Sequence, residues 1–378
     1  MRILHLDPDD MDNPLSGGGP VRTFEICRRL AQRHEVTVLT PTFPGSTPEL
    51  VREGVRYVRL GRKIRNHGSS HHITFFFALP RAIGRFPHDL LVEDFMPPMS
   101  VTMSPLVCRR PLIASVQWFF AESLSRQYHL PFFLGERYGI RMYRNFVVLT
   151  DAMKALILSR HPRARCEVIP NGVDESLFGI VPRYDCDFFL YIGRIDFAQK
   201  GIDLLLEAYA GIPEAARLPM VMAGDGFDMD RLRESIQLRR LEAWISLTGK
   251  IGPQKRAELL RDCRFVCVPS RDETFGMVIL EACAAGKPVV AFDKWPMNEV
   301  AVPGACELVP PFDTKALSVA MERLSGESAA SLAERGRRCR KQATAYRWDA
   351  IARRQEAFYE AVADEDRGRG LIARRPAR

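Results

Sequence analysis

Phe188-Phe-Leu-Tyr-Ile-Gly-Arg-Ile-Asp-Phe-Ala-Gln-Lys-Gly201 is the stretch on which the fold turns. Residues 188–192 are uniformly apolar, and a short run of this kind closed by glycine reads as a buried strand. Gly193-Arg194 ends it, and Lys200-Gly201 opens a helix over 202–209. A strand that feeds a helix across one short loop is half of a βαβ unit. The alternation continues downstream. Strands are predicted at 219–223, 245–248, 265–269 and 289–291, with helices over 230–239, 253–261 and 275–285. The result is an α/β chain with a parallel sheet.

Upstream the same grammar is present but less clean. Apolar strands are predicted at 3–6, 36–40, 55–60, 90–93, 112–116 and 146–149, closed by Val168-Ile169 and the turn Pro170-Asn171-Gly172. Ser16-Gly17-Gly18-Gly19-Pro20 lies between the first strand and a helix over 21–32. Length alone suggests two domains for 378 residues. They are expected at 1–172 and 173–345, with a linker near 172–186. From Thr314 to about Asp364 the pattern is all helical. A helix over 346–366 is expected to cross back to the first domain. The tail 367–378 holds five Arg, two Gly and one Pro and is expected to be disordered.

Composition excludes several classes. The chain is 46% apolar and 26% charged, ordinary for a globular protein. The densest apolar run, Ile73 to Leu79, stops at Pro80 and is too short to span a membrane. Asp7, Asp9, Asp10 and Asp12 follow the first strand, unlike a signal peptide. The nine cysteines are odd in number and scattered, which reads as reduced, mostly buried thiols of a cytoplasmic protein. Residues 1–170 carry 23 Lys+Arg against 15 Asp+Glu, and the remainder carries 31 of each, so the net +8 lies in the first half. An anionic membrane surface, an anionic acceptor or nucleic acid could answer that charge, and so could plain solubility.

Three elements carry candidate chemistry. Arg194 and Lys200 span a strand-to-helix loop, where a planar fork, a point charge and a helix N-terminus suit a diphosphate. The plainer alternative is two solvated cations. Glu273 sits in the loop after a buried strand, and Gly276 permits close backbone approach at a helix start. Glu281 is an acid on an otherwise apolar helix and needs a partner. Sugar hydroxyls would serve, and so would a cap for Glu273 and a core ion pair for Glu281. Gly17-Gly18-Gly19 admits a phosphate or sugar to the backbone, but lacks the dinucleotide spacing. Glu93-Asp94 at a strand end are candidates for acceptor contact or for capping, and His5 and Asp7 share that ambiguity. His67, His71 and His72 cluster in a Gly/Ser loop, too few for a metal site without ligands from elsewhere.

In their order and spacing, these elements resemble glycosyltransferase family 4. The resemblance rests on Gly17-Gly18-Gly19-Pro20, Ile169-Pro170-Asn171-Gly172-Val173-Asp174, Gly193-Arg194 with Lys200-Gly201, Ala223-Gly224-Asp225-Gly226, and the Glu-x7-Glu spacing of Glu273 and Glu281, spanning residues 1 to about 310. It implies the GT-B fold, two facing Rossmann-like domains with a deep cleft. It implies a retaining transferase that moves a hexose or related sugar from a nucleotide-diphosphate sugar to a glycan or lipid-linked acceptor. Arg194 and Lys200 would hold the diphosphate, Glu273 the transferred sugar and Glu281 the ribose. Gly18, Gly19, Gln117, Gly193, Gly249, Ile251, Phe275, Gly276, Met277 and Val278 would complete the donor site. Gly249 and Ile251 would lie beside the base, and Glu93 and Asp94 in the first domain would face the acceptor. No metal or other cofactor is expected, because Arg194 and Lys200 would supply the counter-charge and neither domain is read as offering an Asp-x-Asp site or a His/carboxylate set of metal spacing.

Two positions depart from the family pattern. Gln117 stands where a His is usual, and Trp295-Pro296-Met297-Asn298-Glu299 replaces a Gly-Gly loop before an acid. Both alter the expected sugar pocket. Gln117 still donates and accepts hydrogen bonds, so activity is expected. A same-fold sugar-nucleotide epimerase and a silent nucleotide-sugar binding protein are the alternatives, and a nucleic-acid binder rests on basicity alone. The expected setting is the cytoplasm, peripheral to the inner membrane face.

Overall fold

The structure, a computed structural model, describes residues 1–13, 19–62, 70–95, 104–119 and 121–373. The chain divides into two compact units. The first is Met1–Asn171 together with the chain from Trp348 on, and the second is Gly172–Arg347.

The first unit is built on an eight-stranded sheet. Its strands are β1 (Arg2–Leu6), β2 (Glu35–Pro41), β3 (Glu49–Arg52), β4 (Val55–Leu60), β5 (Leu90–Asp94), β6 (Leu112–Val116), β7 (Asn145–Val148) and β8 (Arg165–Val168), in the order β3-β4-β2-β1-β5-β6-β7-β8. All neighbours are parallel except β3 and β4. Helices cover the sheet, so β1 reads as a continuous apolar run rather than an alternation. Helix Gly19–Leu30 and the final helix Trp348–Ala373 share one core, in which Ile26, Leu30, Trp348, Ile351, Phe358 and Tyr359 pack on Ile3, Val36, Val38 and Val92. Buried Arg22 locks that arrangement, donating to the carbonyls of Ile169 and Pro170, to Asn171 Oδ1 at 3.0 Å and to Gln355 Oε1 at 2.7 Å.

The second unit has six parallel strands: β9 (Phe189–Ile192), β10 (Met220–Ala223), β11 (Ile245–Gly249), β12 (Val266–Val268), β13 (Val289–Phe292) and β14 (Glu307–Val309). Their order is β11-β10-β9-β12-β13-β14. Counted within the unit this is 3-2-1-4-5-6, the doubly wound Rossmann order. The chain leaves β9 to one side and β12 to the other. The carboxyl ends of these two strands flank the crevice in which open α/β sheets bind ligands.

Several sequence expectations change. β3 was not anticipated: its exposed residues pair with β4 through a two-residue loop, Glu53-Gly54, with φ of 46° and 81°. Both central residues take positive φ, as a tight hairpin demands, but Glu-Gly lacks the Asn-Gly or Asp-Gly signal. β14 was not anticipated either, since its three residues begin with Glu307 and are only partly buried, which leaves no continuous apolar run. The run before Pro80 belongs to helix Ser70–Arg85, which continues through the proline. Phe75, Leu79, Ala82 and Ile83 bury one face of it against Leu4, Leu6, Leu39 and Leu91, a burial that outweighs the missing N–H. His71 and His72 therefore lie on a helix, not in a loop, while His67 is outside the described residues. The tail expected to be disordered is helical through Ala373. An established helix extends without a new nucleation cost. Residues 374–378 lie outside the described residues. All nine cysteines are free, and only Cys108 is not buried. No helix among the described residues is long and apolar enough to cross a membrane.

Candidate active site

At the β9 end the backbone is packed so tightly that glycine is obligatory. A Cβ on Gly224 (φ +151°) would lie 1.8 Å from the Gly193 carbonyl oxygen, and one on Gly226 would lie 2.2 Å from that of Ile195. Tyr191 Oη donates to the Arg194 carbonyl at 2.8 Å. The loops after β9 and β10 are thereby pressed together, which fixes where Arg194 leaves the sheet. Its guanidinium is half exposed, bonded to Gln199 and 3.7 Å from Asp196.

Lys200 ends the short helix Phe197–Lys200, which Asp196 caps by accepting from the Gln199 N–H at 2.9 Å. Gly201 follows with φ +63°, and a Cβ there would stand 2.1 Å from the Pro269 carbonyl oxygen. Only glycine therefore lets Lys200 sit against the loop after β12. Lys200 Nζ donates to Glu273 Oε1 at 2.7 Å, and Ser270 Oγ donates to the same oxygen at 2.7 Å. Glu273 and Lys200 side chains are 12% and 16% exposed, so the pair is only partly screened by water.

Just beyond, Gly276 (φ +93°) begins helix Met277–Ala284, and no side chain caps it. The first-turn N–H groups and the positive end of the helix dipole are a ready place for an anion. Phe275 is buried, while Met277 and Val278 are half-buried in that first turn. Glu281 lies further along the helix, where Arg256 Nη1 donates to Oε1 at 2.7 Å. Burial pushes the Glu281 carboxyl up, and Arg256 opposes that shift. Gly249, with φ +69°, ends β11 beside half-buried Ile251. The structure thus joins Arg194, Lys200 and Glu273 at one sheet edge, in the Glu273 and Lys200 case by direct contact. Glu281 is held separately by Arg256.

In the first unit the corresponding crevice lies between β1 and β5, where the chain again diverges to opposite sides. Gln117 Nε2 donates to Asp94 Oδ2 at 2.9 Å, and Thr23 Oγ1 lies 3.4 Å from the same oxygen. His5 Nε2 is 3.3 Å from Asp94 Oδ1. Gly19, the first residue of its helix, would place a Cβ 3.6 Å from the Gln117 amide. Asp7 is buried beside this group, and burial together with the Asp94 charge pushes its carboxyl well up. Gly18 lies outside the described residues. Glu93 and Asp94 are not a pair, because successive strand residues face opposite sides of a sheet. Glu93 is fully buried, accepts from Tyr143 Oη at 2.6 Å, and is pushed up to about 8 by burial.

The expectation that no Asp-x-Asp site is present needs correction, because Asp10-Met11-Asp12 and Asp228-Met229-Asp230 have that spacing. Asp10 and Asp12 each bind Arg59 at 2.8 Å, and Asp228 accepts from the Phe197 N–H at 2.8 Å. These acids serve structure in the described residues. Sequence reading missed Ser270 and Arg256, whose signals are weak. One is a serine at a strand end and the other a lysine-flanked arginine on a polar helix.

The family profile described as Glycosyltransferase Family 4 matches residues 16–177, and that described as Glycosyl transferases group 1 matches residues 175–345. The chain belongs to glycosyltransferase family 4. Among relatives of this family 4 glycosyltransferase, the phosphatidyl-myo-inositol mannosyltransferase of Mycolicibacterium smegmatis is 28% identical, over 96% of this chain and 94% of its own. Sucrose-phosphate synthase from Thermosynechococcus elongatus has the same fold, with a TM-score of 0.80 at 20% identity over 96% and 98% of the two chains. So does Anabaena HepE, solved in complex with UDP and glucose, with a TM-score of 0.72 at 17% identity over 94% and 98%. The fold is GT-B, and the enzyme is a glycosyltransferase.

Proposed function

We propose that this glycosyltransferase takes a nucleotide-diphosphate hexose and transfers the sugar, with retention, to a lipid-linked or glycan acceptor. The observation that carries this reading is the Lys200–Glu273 contact of 2.7 Å at the β9/β12 crevice, next to the uncapped helix start at Gly276. A bound diphosphate would draw Lys200 and Arg194 to its oxygens and receive the helix N–H groups. Glu273, with Ser270 beside it, would then turn its carboxylate to a sugar hydroxyl. Glu281 would meet the ribose. HepE, solved with UDP and glucose, supports a nucleotide-sugar donor. The phosphatidyl-myo-inositol mannosyltransferase supports a lipid-linked acceptor.

In the chemical step the bond from the anomeric carbon to the leaving phosphate oxygen breaks. The acceptor hydroxyl attacks the same face, and its proton passes to that phosphate oxygen. The cations stabilise the charge as it develops. No protein base is required, and the anomeric configuration is kept. With a donor of known configuration, proton NMR of the first product formed is expected to show the donor's own anomer. The opposite anomer overturns the mechanism.

The same arrangement implies transfer without a divalent ion, since two cations and a helix terminus already face the diphosphate. Activity is expected to be unchanged in excess EDTA. Activity that disappears in chelator and returns with Mn²⁺ or Mg²⁺ rejects this leaving-group chemistry.

A peripheral position at the inner membrane face follows from the charge of the first half. Helix Phe132–Gly139 and the loop before it present exposed Leu130, Phe133, Leu134 and Tyr138, with Arg137 and the Glu122-paired Arg126 also exposed. Apolar side chains inserted among anionic headgroups, with basic ones alongside, suit reversible adsorption at about 1 kcal/mol per cation. Flotation is expected with anionic liposomes at low salt and to be lost in neutral liposomes or high salt. Equal absence from both assigns the charge to solubility and favours a soluble acceptor.

A further inference from the structure

Three cysteines from separate segments converge in the core of the second unit. Cys283 is on helix Met277–Ala284, Cys306 precedes β14, and Cys339 is on helix Ala329–Ala343. Cys283 Sγ is 3.9 Å from Cys306 Sγ, which is 3.8 Å from Cys339 Sγ, and all three sulfurs lie within 4.8 Å of one another. A point equidistant from the corners of such a triangle is about 2.2–2.5 Å from each, which brackets the ~2.3 Å metal–sulfur bond of thiolate sites. The residues are 1%, 6% and 0% exposed, so solvent does not complete the group. Other buried cysteines meet different neighbours: Cys27 contacts His5, and Cys263 a backbone carbonyl.

We propose that Cys283, Cys306 and Cys339 form a buried three-thiolate site for copper(I). Among the described residues no histidine or carboxylate joins the set, so the fourth ligand of a structural zinc site is missing. Soft thiolates favour copper(I), which accepts trigonal coordination. Arginines of the Cys339 helix hold the backbone beside the other two ligands. Arg340 Nε donates to the Ala284 carbonyl at 3.1 Å, and Arg335 Nη1 to the Ala305 carbonyl at 3.3 Å. Arg335 is itself paired with Glu307 and Glu327, so it is the Arg340 charge that offsets the anionic ligand set in a medium that screens poorly. Binding exchanges the S–H protons for the ion, with no change of oxidation state.

The test is anaerobic titration of the reduced full chain with copper(I) held by bicinchoninate. One equivalent is expected to be withdrawn from the chelator. A variant carrying Cys283→Ala, Cys306→Ala and Cys339→Ala is expected to lose that uptake, and Cys166→Ser to keep it. Should the triple variant fail to fold, copper X-ray absorption of the unaltered protein decides: three sulfur neighbours without nitrogen or oxygen support the site. No withdrawal, uptake retained in the folded triple variant, or a two-sulfur or nitrogen-containing shell overturns it. So does a Cys283–Cys306 disulfide under mild oxidation in a chain that takes up no copper when reduced.

Discussion

Lys200→Ala is expected to weaken nucleoside-diphosphate binding by about 10- to 100-fold, as one hydrogen bond from a charged donor worth about 1.5–3 kcal/mol is lost. The loss in turnover is expected to be larger, on the order of 10²–10³-fold, because the same charge faces the leaving group as it forms. Lys200 is held on three sides: by the Asp196 cap before it, by Gly201 after it, and by Glu273 at 2.7 Å. Truncation leaves that geometry in place and removes only the cation, while Ser270 still donates to Glu273. Lys255→Ala is the matched control, since Lys255 is exposed and pairs with Glu258 on a surface helix. Isothermal titration with UDP, GDP and ADP, beside thermal unfolding of both variants, separates binding from folding. A folded Lys200→Ala chain that binds every diphosphate as the parent does sinks the donor-site assignment, and the proposed chemistry with it.

The second unit was more legible in the sequence than the first, for a physical reason. Strands β9, β10, β12 and β13 are almost wholly buried and follow one another as βα pairs, so each appears as a short apolar run. Hairpin β3–β4 escaped because its exposed face carries Glu49 and Val51 and its turn is Glu-Gly. Helix Ser70–Arg85 escaped because Pro80 argues locally for a break, while the decision is made by four side chains packed on β1, β2 and β5. Within the site, glycines were recognisable but their necessity was not. That Gly201 must be glycine follows from a carbonyl of Pro269, 68 residues away, and Gly224 from a carbonyl of Gly193. Glu93 and Asp94 look equivalent in sequence, yet the pleat sends one to Tyr143 and the other to Gln117 and His5. Ion-pair partners such as Arg256 for Glu281 come from different elements and leave no local pattern.

Glu93→Gln is expected to make the protein more stable at pH 8.5 while leaving it nearly unchanged at pH 5. Burial pushes the folded-state carboxyl up to about 8 from its ordinary 4.5. Below pH 4.5 it is protonated in both states and costs nothing. Between 4.5 and 8 the unfolded chain releases a proton that the folded chain keeps. Stability then falls with rising pH, by at most about 1.4 kcal/mol per pH unit. Above 8 both states are ionised and the loss is complete, reaching a few kcal/mol in order of magnitude. Glutamine preserves the shape and still accepts from Tyr143 Oη, but it has no proton to release. Urea midpoints of parent and variant at pH 5, 6.5 and 8.5 should therefore coincide at the acid end and diverge upward. Asp7, Glu136 and Glu281, whose carboxyls burial also raises, add slope of the same sign to parent and variant alike. Parallel curves across the whole range would instead mean that the folded protein holds Glu93 as a carboxylate. The Tyr143 hydrogen bond would then be charge-assisted, and the residue would be anionic at the pH where the enzyme works.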